Sequence, residues 1–446
     1  MQNTERSAPN PQMVRRVALA SAIGTTVEWY DYFIYATATA LVFGKLFFPQ
    51  FSAEAGTMAA FATFAIGYFA RPLGGIVFGH LGDRIGRKKM LVLSLMMMGV
   101  STIGVGFLPT FAAIGIAAPV LLLILRMVQG FAVSGEWGGA VLMAVEHAPN
   151  GRRGFYGSWP QVGVPAGLLL ANLVFLLLTN ALSADDFLAW GWRLPFLASV
   201  VLIVIGLFIR LRVEESPLFA KLAVKQEAVR LPLAEVLRKY PKQVILGSLL
   251  MIATVAVGYI ISTYSLSYAT QILGLSQSSM LMAVLVAAAI GAVGLVVAGI
   301  LSDKVGRKKV FAAGAVGQIV WAFPFFALLN TKAFPLVLVA LIVMQLCVYA
   351  MYGPVAAMLA ELFGTRVRYT GISLVYQIGS IAGAGFAPLI ATGIFASTGS
   401  TVLISAYIVG ISVISLVAAL ILKESSKTNL DGDAVDEPVN AGANAE

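Results

Sequence analysis

Charge, cysteine and histidine are all scarce in this sequence. Only 11% of its 446 residues are charged, while 59% are hydrophobic. A soluble domain carries about 25% charged residues. The single cysteine and the two histidines are not clustered, so they exclude a disulfide framework and leave no metal site. We recognise no nucleophile–base pair and no phosphate-binding loop, and the sequence therefore predicts neither a soluble domain nor an enzyme.

Long apolar runs are abundant instead. A membrane-spanning helix needs about 20 mostly apolar residues. Segments that meet this requirement lie at residues 17–43, 57–80, 89–108, 112–145, 155–179, 190–210, 242–270, 279–300, 310–330, 334–360, 369–395 and 402–422. The sequence therefore predicts an all-α integral membrane protein with twelve transmembrane helices.

The basic residues predict the orientation of these helices, because lysine and arginine favour the cytosolic side. If both termini are cytosolic, the outer loops hold only Lys45, Arg193 and Lys332. Only Arg71 and Arg126 then lie within spans. The net charge of +9 therefore suits anionic lipid headgroups rather than nucleic acid. The N-terminus has no signal-peptide cleavage site, so we expect the first helix to be retained.

The chain contains two related halves. The turn GHLGDRIGRKK at 79–89 is nearly repeated as GILSDKVGRKK at 299–309, and an acid and an arginine at 146–153 recur at 361–368. Such parallel repetition predicts two six-helix bundles related by an axis along the membrane normal. The predicted parts are a cytosolic N-terminal segment (1–16), a first six-helix bundle (17–210), a cytosolic connector with surface helices (211–241), a second six-helix bundle (242–422) and a disordered acidic cytosolic tail (423–446).

Six stretches carry a resemblance to a known family. They are EWYDYFIY (28–35), FARPLGGIVFGHLGDRIGRKK (69–89), RMVQGFAVSGEWGGA (126–140), WGWRLPF (190–196), EESP (214–217) and ELFGTRVRYTG (361–371). With them the chain resembles the major facilitator superfamily, and within it the metabolite:proton symporter branch with shikimate, α-ketoglutarate and proline/betaine transporters. The resemblance implies the major facilitator fold, with both termini cytosolic, in a protein that works as a monomer.

The repeated turn is a candidate cytosolic gate. Asp83 and Asp303 end two corresponding spans, where an acid can accept hydrogen bonds from the N–H groups that begin a neighbouring helix. The resemblance implies that this turn latches the gate, and that Glu146 and Glu361 form charge clusters with nearby arginines. A simple topology anchor or ordinary helix-end capping is the alternative. The predicted gate residues are Asp83, Arg84, Arg87, Glu146, Arg153, Asp303, Arg307, Glu361 and Arg368.

All the ionisable residues within spans lie in the first half. They are Glu28, Asp31, Arg71, Arg126 and Glu136. Each costs about 3 kcal/mol at the centre of a bilayer, so each is a candidate functional residue. The helical rise places Asp31 near the level of Arg126, and Arg71 near Glu28 and Glu136. We therefore predict two levels of ion pairs, with buried pairs that only fix helix packing as the alternative.

Proton coupling is predicted at Glu28, Asp31 and Arg126. Burial favours the neutral form of a carboxyl group, whereas a facing arginine favours the charged form. The balance can therefore change when a substrate arrives. Arginine keeps its charge and offers a bidentate fork to a carboxylate. We hypothesise that protonation of Asp31 frees Arg126 to hold a substrate carboxylate. The resemblance likewise implies proton coupling at a first-span acid that faces a fourth-span basic residue. The proton is the coupling ion, and no cofactor is expected.

Polar and aromatic residues of both halves are candidates for substrate binding. Those of the second half can hydrogen-bond a substrate while Arg126 takes its carboxylate, although each can equally be a helix–helix contact. The predicted substrate-binding residues are Tyr35, Arg71, Arg126, Gln129, Glu136, Trp137, Tyr259, Gln345, Tyr352 and Gln377.

The predicted function is proton-coupled uptake of a small organic acid, such as a shikimate- or α-ketoglutarate-like compound, by a multi-pass protein of the cytoplasmic membrane. The partners expected are this solute, the proton and the lipid bilayer. Uptake of proline or betaine is the alternative, although the tail lacks the heptads of osmosensing relatives. Efflux by antiport is a lesser alternative, since Gly163, Pro165 and Gly167 only partly match the antiporter motif.

Overall fold

The structure is a computed structural model that describes residues 11–85, 87–133, 136–146, 148–149, 151–212, 232–364 and 367–426. These residues form twelve helical segments of membrane-spanning length and no β-strand. Helices are expected here because every backbone N–H and C=O group must be paired within its own segment when it lies in lipid. The predicted all-α membrane fold is confirmed.

The twelve segments are named α1 to α12. In the first half they are α1 (Pro11–Ala38, continued by Thr39–Phe43 and Gly44–Phe47), α2 (Ala53–Ile85), α3 (Arg87–Phe107), α4 (Ala117–Ala132 and Glu136–Glu146), α5 (Arg153–Ala181) and α6 (Leu194–Arg212). In the second half they are α7 (Pro241–Tyr259, continued by Ile260–Tyr264 and Ser265–Gln271), α8 (Gln277–Val305), α9 (Arg307–Asn330), α10 (Phe334–Glu361), α11 (Arg368–Ser380, Ile381–Gly385 and Ala387–Thr398) and α12 (Val402–Ile421). Shorter helices lie at Phe111–Ile114, Ala184–Ala189 and Pro232–Lys239.

Some predicted helix boundaries differ from those of the structure. The second span was predicted at 57–80 but runs over Ala53–Ile85, because helical hydrogen bonding continues beyond the apolar part of the sequence. The fourth was predicted to begin at 112. A separate turn of helix ends there at Gly115, whose φ of 59° is favourable for glycine and ends a right-handed helix.

The outside of the molecule suits a lipid bilayer. Large apolar side chains cover it; Phe107 is 71% exposed and Val201 is 61% exposed. Nine of the helical segments in the described residues have the length and apolar composition of a membrane span. Inside, α5 packs along α8 and α10, while α2 packs against α11, so these helices form the contact between the halves.

Three helices contain a π-turn within the described residues, at Thr39–Phe43 in α1, Ile260–Tyr264 in α7 and Ile381–Gly385 in α11. A π-turn adds one residue to a helical turn and is frequent at functional sites. All three lie in helices at the contact between the halves.

The predicted segments outside the two bundles are described only in part. Residues 1–10, 213–231 and 427–446 lie outside the described residues. Glu424 and Ser425, at the start of the predicted disordered tail, form hydrogen bonds with the second half. The beginning of this segment is therefore ordered, because it meets buried polar groups there.

Candidate functional site

Arg126 of α4 is completely buried, at 0% exposure. Its guanidinium carbon lies 4.3 Å from the ring centre of Tyr35, 4.4 Å from that of Tyr32 and 4.7 Å from that of Phe64. Its Nη1 donates to Gln129 Oε1 at 3.2 Å. Among the residues that the structure describes, neither Nε nor Nη2 has a hydrogen-bond acceptor. A buried cation with two unused donor atoms is costly, so Arg126 is suited to bind an anion.

Two glycines make room for this arginine. A Cβ atom on Gly67 of α2 would lie 2.7 Å from Arg126 Nε, and one on Gly130 of α4 would collide with the Gly67 carbonyl oxygen. Because both residues lack a side chain, α2 and α4 approach closely enough to enclose the guanidinium.

Asp31 of α1 is buried, at 2% exposure, and is held by two hydroxyl groups. Thr102 of α3 donates to Oδ2 at 3.1 Å, and Ser199 of α6 donates to Oδ1 at 2.8 Å. The predicted direct ion pair with Arg126 is wrong, because the Gln129 side chain reaches between the two charges. Gln129 accepts from Arg126 and donates through Nε2 to Thr102 Oγ1 at 2.9 Å.

Arg71 of α2 is held by tyrosines. Its Nε donates to the Tyr32 hydroxyl at 3.1 Å, and its guanidinium carbon lies 4.4 Å from the ring centre of Tyr32 and 4.3 Å from that of Tyr68. Among the described side chains its contacts are these rings and not Glu28, so that predicted ion pair is also wrong. The rings occupy the space beside the guanidinium. The side chain of Glu136 lies outside the described residues.

The two halves meet beside these arginines. The Tyr68 hydroxyl of α2 donates to the Tyr259 hydroxyl of α7 at 2.7 Å. Trp137 of α4 stacks on Tyr376 of α11, with ring centres 3.9 Å apart. The predicted residues Trp137 and Tyr259 therefore lie where the halves touch.

Gln161 of α5 forms a further bridge between the halves. It accepts from Trp137 Nε1 at 3.0 Å and donates to the Tyr352 carbonyl oxygen of α10 at 2.9 Å. Gln345 is buried on α10 against Gly291 of α8, inside the second half. Gln377 is half-buried on α11. Tyr352 therefore lies at the contact between the halves, whereas Gln345 lies within the second half.

The repeated turn of the second half contacts the first half. Asp303, at the end of α8, accepts hydrogen bonds from the backbone N–H groups of Gly154 at 2.8 Å and Phe155 at 2.9 Å, in the first turn of α5. Arg307 Nη1 pairs with the same carboxylate at 2.6 Å. An acid at a helix N-terminus is stabilised by the helix dipole and by the free N–H groups. The side chains of Asp83, Arg84 and Arg87 lie outside the described residues.

The two acid–arginine repeats pair crosswise between the halves. Arg153 of α5 lies 3.7 Å from Glu361 of α10, and Arg368 of α11 lies 3.1 Å from Glu146 of α4. Arg307 also approaches Glu361, at 3.5 Å. The prediction placed each cluster within one half. The structure differs because the corresponding ends of both halves face each other across their contact.

The start of the C-terminal tail joins this cluster. Glu424 accepts from the backbone N–H groups of Arg307 at 2.9 Å and Lys308 at 3.1 Å, and the Ser425 hydroxyl donates to Glu361 Oε2 at 2.7 Å. Burial opposes the charge of Glu424, but these backbone bonds and one from Ser426 prevail and hold the pKa of Glu424 below its usual value.

The opposite end of the bundle is joined by neutral groups. Gln271 of α7 donates to the Ala40 carbonyl oxygen in the π-turn of α1 at 2.7 Å and accepts from Thr57 of α2 at 2.8 Å. Thr57 and Gln271 also line a cavity of about 290 Å³, with Lys45 at its wall. We call this bridge the outer latch.

Sequence reasoning missed several polar residues of the site. They are Thr102, Gln161, Ser199 and Gln271. The available signal was that each is a hydrogen-bonding side chain within a largely apolar helix.

Comparison with known proteins gives consistent results. The sequence model described as Major Facilitator Superfamily matches residues 21–387 and 292–441. The inner membrane metabolite transport protein YhjE of Escherichia coli is 42% identical, over 93% of this chain and 95% of that protein. The shikimate transporter of the same organism is 40% identical, over 93% of this chain and 95% of that protein. The Escherichia coli proline/betaine transporter is 33% identical, over 94% of this chain and 85% of that protein.

A solved structure has the same fold. The proton:xylose symporter XylE of Escherichia coli superposes with a TM-score of 0.74 at 19% sequence identity, over 95% of this chain and 98% of that chain.

Proposed function

The chain belongs to the Major Facilitator Superfamily, and from that premise we propose that it is a symporter that takes up a small carboxylate-bearing metabolite with protons. It is a multi-pass membrane transporter and not an enzyme. The names of its relatives, an inner membrane metabolite transport protein and a shikimate transporter, support the cytoplasmic membrane as its location and an organic acid as its solute.

Arg126 is the observation that carries this proposal. It is a permanent cation at 0% exposure, with two nitrogen atoms that lack acceptors among the described residues. A carboxylate can accept from both nitrogen atoms at once, in the bidentate geometry that arginine favours. The stacked rings of Tyr32, Tyr35 and Phe64 hold the guanidinium in place.

Asp31 supports the coupling of this solute to protons. It is buried, and its recorded hydrogen bonds come from the neutral hydroxyls of Thr102 and Ser199. A buried carboxylate without a direct cationic partner takes up a proton readily. In our proposal the proton and the solute bind together in the first half. The halves then rock so that the ionic contacts of one end and the outer latch of the other open in turn.

Proline and betaine uptake is the second candidate, supported by the proline/betaine relative. Proteins bind a quaternary ammonium on the faces of aromatic rings. Here guanidinium groups already lie over the rings of Tyr32 and Tyr68, at 4.4 Å and 4.3 Å. This arrangement favours an organic acid without a quaternary ammonium group over betaine, although both carry a carboxylate that Arg126 can bind.

Efflux by antiport has less support. A Cβ atom on Gly163 would lie 2.6 Å from Thr25 Cβ, and one on Gly167 would lie 2.7 Å from the Tyr30 backbone nitrogen. Close packing of α5 on α1 therefore accounts for these glycines without an antiporter motif.

Transport by the purified protein in vesicles tests the proposal. Labelled shikimate, α-ketoglutarate, proline and betaine are offered with and without a pH gradient. We expect an organic acid to accumulate only with the gradient. The Asp31→Asn variant should lose this accumulation and keep exchange, while Arg126→Lys should lose both.

The control is Asp185→Asn, which neutralises an exposed acid of the same half and should behave as the unmodified protein. Accumulation by Asp31→Asn at the normal rate would contradict proton coupling at this residue. Accumulation of proline or betaine in preference to the acids would move the assignment to osmolyte uptake.

A further inference from the structure

Three consecutive hydrogen bonds connect Arg126 to Asp31, and in all three the donor can lie on the Arg126 side. Arg126 donates to Gln129 at 3.2 Å, Gln129 donates to Thr102 at 2.9 Å, and Thr102 donates to Asp31 at 3.1 Å. Every donor in this chain therefore points from the cation toward the anion. Such chains polarise their members, so each bond is stronger while both charges are present.

In this hydrogen-bonded series, Thr102 is the residue whose hydroxyl can donate to either of two oxygen atoms. Its hydroxyl lies 3.1 Å from Asp31 Oδ2 and 2.9 Å from the Met98 carbonyl oxygen in its own helix. A hydroxyl group has one hydrogen and two lone pairs, so it donates to one of these oxygens at a time while it accepts from others. The charge of Asp31 draws the hydrogen toward the carboxylate.

We propose that Gln129 and Thr102 are positioning residues that transmit protonation of Asp31 to Arg126. This inference rests on the proposed symport. When a proton from the outer solution forms an O–H bond at Asp31 Oδ2, this new group donates to Thr102 Oγ1. Thr102 then turns its own hydrogen to Met98, and the chain no longer points in one direction. The bond from Arg126 Nη1 to Gln129 weakens, so Nη1 can join Nε and Nη2 in donating to the carboxylate of the solute. Loss of the proton to the cytosol reverses each step.

The nearest other carboxyl group on the same helix is that of Glu28, which is buried one turn before Asp31. Arg126 of α4 is the charged group that acts on Asp31, and Tyr30, on the same helix as Asp31, donates to the Pro195 carbonyl oxygen. From α3 and α6 Asp31 meets the neutral Thr102 and Ser199. α5 also packs along α1, and its titratable residues are Arg153 and Tyr156 in its first turn. The Glu136–Glu146 segment of α4, which packs on α1 as well, carries an acid at each end.

Direct attraction between the two charges is the competing explanation, since it would couple proton and solute without any relay. Thr102→Val separates the explanations, because it keeps both charges and the side-chain shape but removes the hydroxyl. Gln129→Leu breaks the chain at its other member. Thr102→Ser keeps the hydroxyl and is the conservative control for folding. Ser199→Ala is the matched control, since Ser199 also donates to Asp31 but has no recorded link to Arg126.

The measurement is the affinity for the labelled organic acid identified in the vesicle assay, from about pH 6 to about pH 8, together with the ratio of protons to solute. In the unmodified protein we expect affinity to change by about 5- to 150-fold, the usual range for coupled sites. Thr102→Val and Gln129→Leu should make the affinity nearly independent of pH and should lower the ratio of protons to solute. Thr102→Ser should keep both the pH dependence of the affinity and the proton-to-solute ratio of the unmodified protein. Ser199→Ala should keep the coupling but shift the profile to higher pH, because the carboxylate loses a donor.

The outcomes separate this inference from the proposed function. If Asp31→Asn abolishes accumulation while Thr102→Val and Gln129→Leu keep the full dependence on pH, the relay is refuted and symport stands. If Asp31→Asn leaves accumulation intact, the proposed coupling fails, and the relay fails with it. Infrared difference spectra provide a readout that does not need a solute. The carboxylic acid band of protonated Asp31 should shift in Thr102→Val, and an unshifted band would also overturn the relay.

Discussion

Neutralising Asp303 should separate the end of α8 from the start of α5, which its carboxylate joins. In Asp303→Asn the amide keeps one acceptor oxygen, but its NH₂ group faces a backbone N–H donor of α5 and cannot bond to it. One of the two bonds, at 2.8 Å and 2.9 Å, is therefore lost, together with the charge opposite Arg307. A hydrogen bond to a charged group contributes about 1.5–3 kcal/mol. We expect the free energy of opening this end to fall by about 2–4 kcal/mol, which raises the population of the open form about 30- to 1,000-fold.

The assay is a distance measurement by electron spin resonance. Spin labels on cysteines at the exposed positions Arg152 and Lys304 report the separation of the α5 and α8 ends, after replacement of Cys347 by serine. Asp303→Asn should move the distribution to longer distances. The control is Glu235→Gln, which breaks an exposed ion pair of 2.8 Å and should change stability by no more than about 1 kcal/mol. If Asp303→Asn gives the same distribution as the unmodified protein, our account of this end is wrong.

Three further predictions concern other parts of the molecule. Gly67→Ala places a Cβ atom 2.7 Å from Arg126 Nε and should weaken binding of the labelled acid about tenfold. The control is Gly410→Ala, whose added Cβ atom meets nothing within 4 Å and should not change the affinity. Equal affinities of the two variants would contradict the enclosed site. Gln271→Ala removes two hydrogen bonds worth about 0.5–1.5 kcal/mol each and should lengthen distances between spin labels at that end, an expectation that unchanged distances would refute. Because the pKa of Glu424 is lowered when docked, docking should persist above the ordinary glutamate value of about 4.3 and be lost as pH falls below it. The mobility of a spin label at the start of the tail measures this, and release already at neutral pH would contradict it.

The helices of this protein could be predicted well from sequence, because the bilayer imposes length and apolar composition on every span. Of the repeated turn, the structure describes the second copy, whose Asp303 and Arg307 lie at the contact between the halves. Hydrophobicity did not predict the residues at which the helices end. The helix of Ala53–Ile85 continues into polar sequence, and Gly115 ends a turn inside a predicted span. These boundaries depend on backbone hydrogen bonds and on φ, not on polarity.

The site was predictable only as a set of residue types. Helical rise places Asp31 and Arg126 at similar depth, but it says nothing about which side chain fills the space between them. That space is occupied by Gln129, which is three residues from Arg126 on the same helix and turns toward Thr102. Glu361 and Arg153 were assigned to separate clusters for a related reason, since a sequence repeat does not reveal which copy faces which.

The exchange of partners between the two repeats has a kinetic consequence. Glu146 of the first half binds Arg368 of the second, while Arg153 of the first binds Glu361 of the second. Both pairs cross the same contact between the halves, so a rotation that separates one pair strains the other simultaneously. Opening at this end should therefore be all-or-none, with a single barrier rather than a series of independent releases.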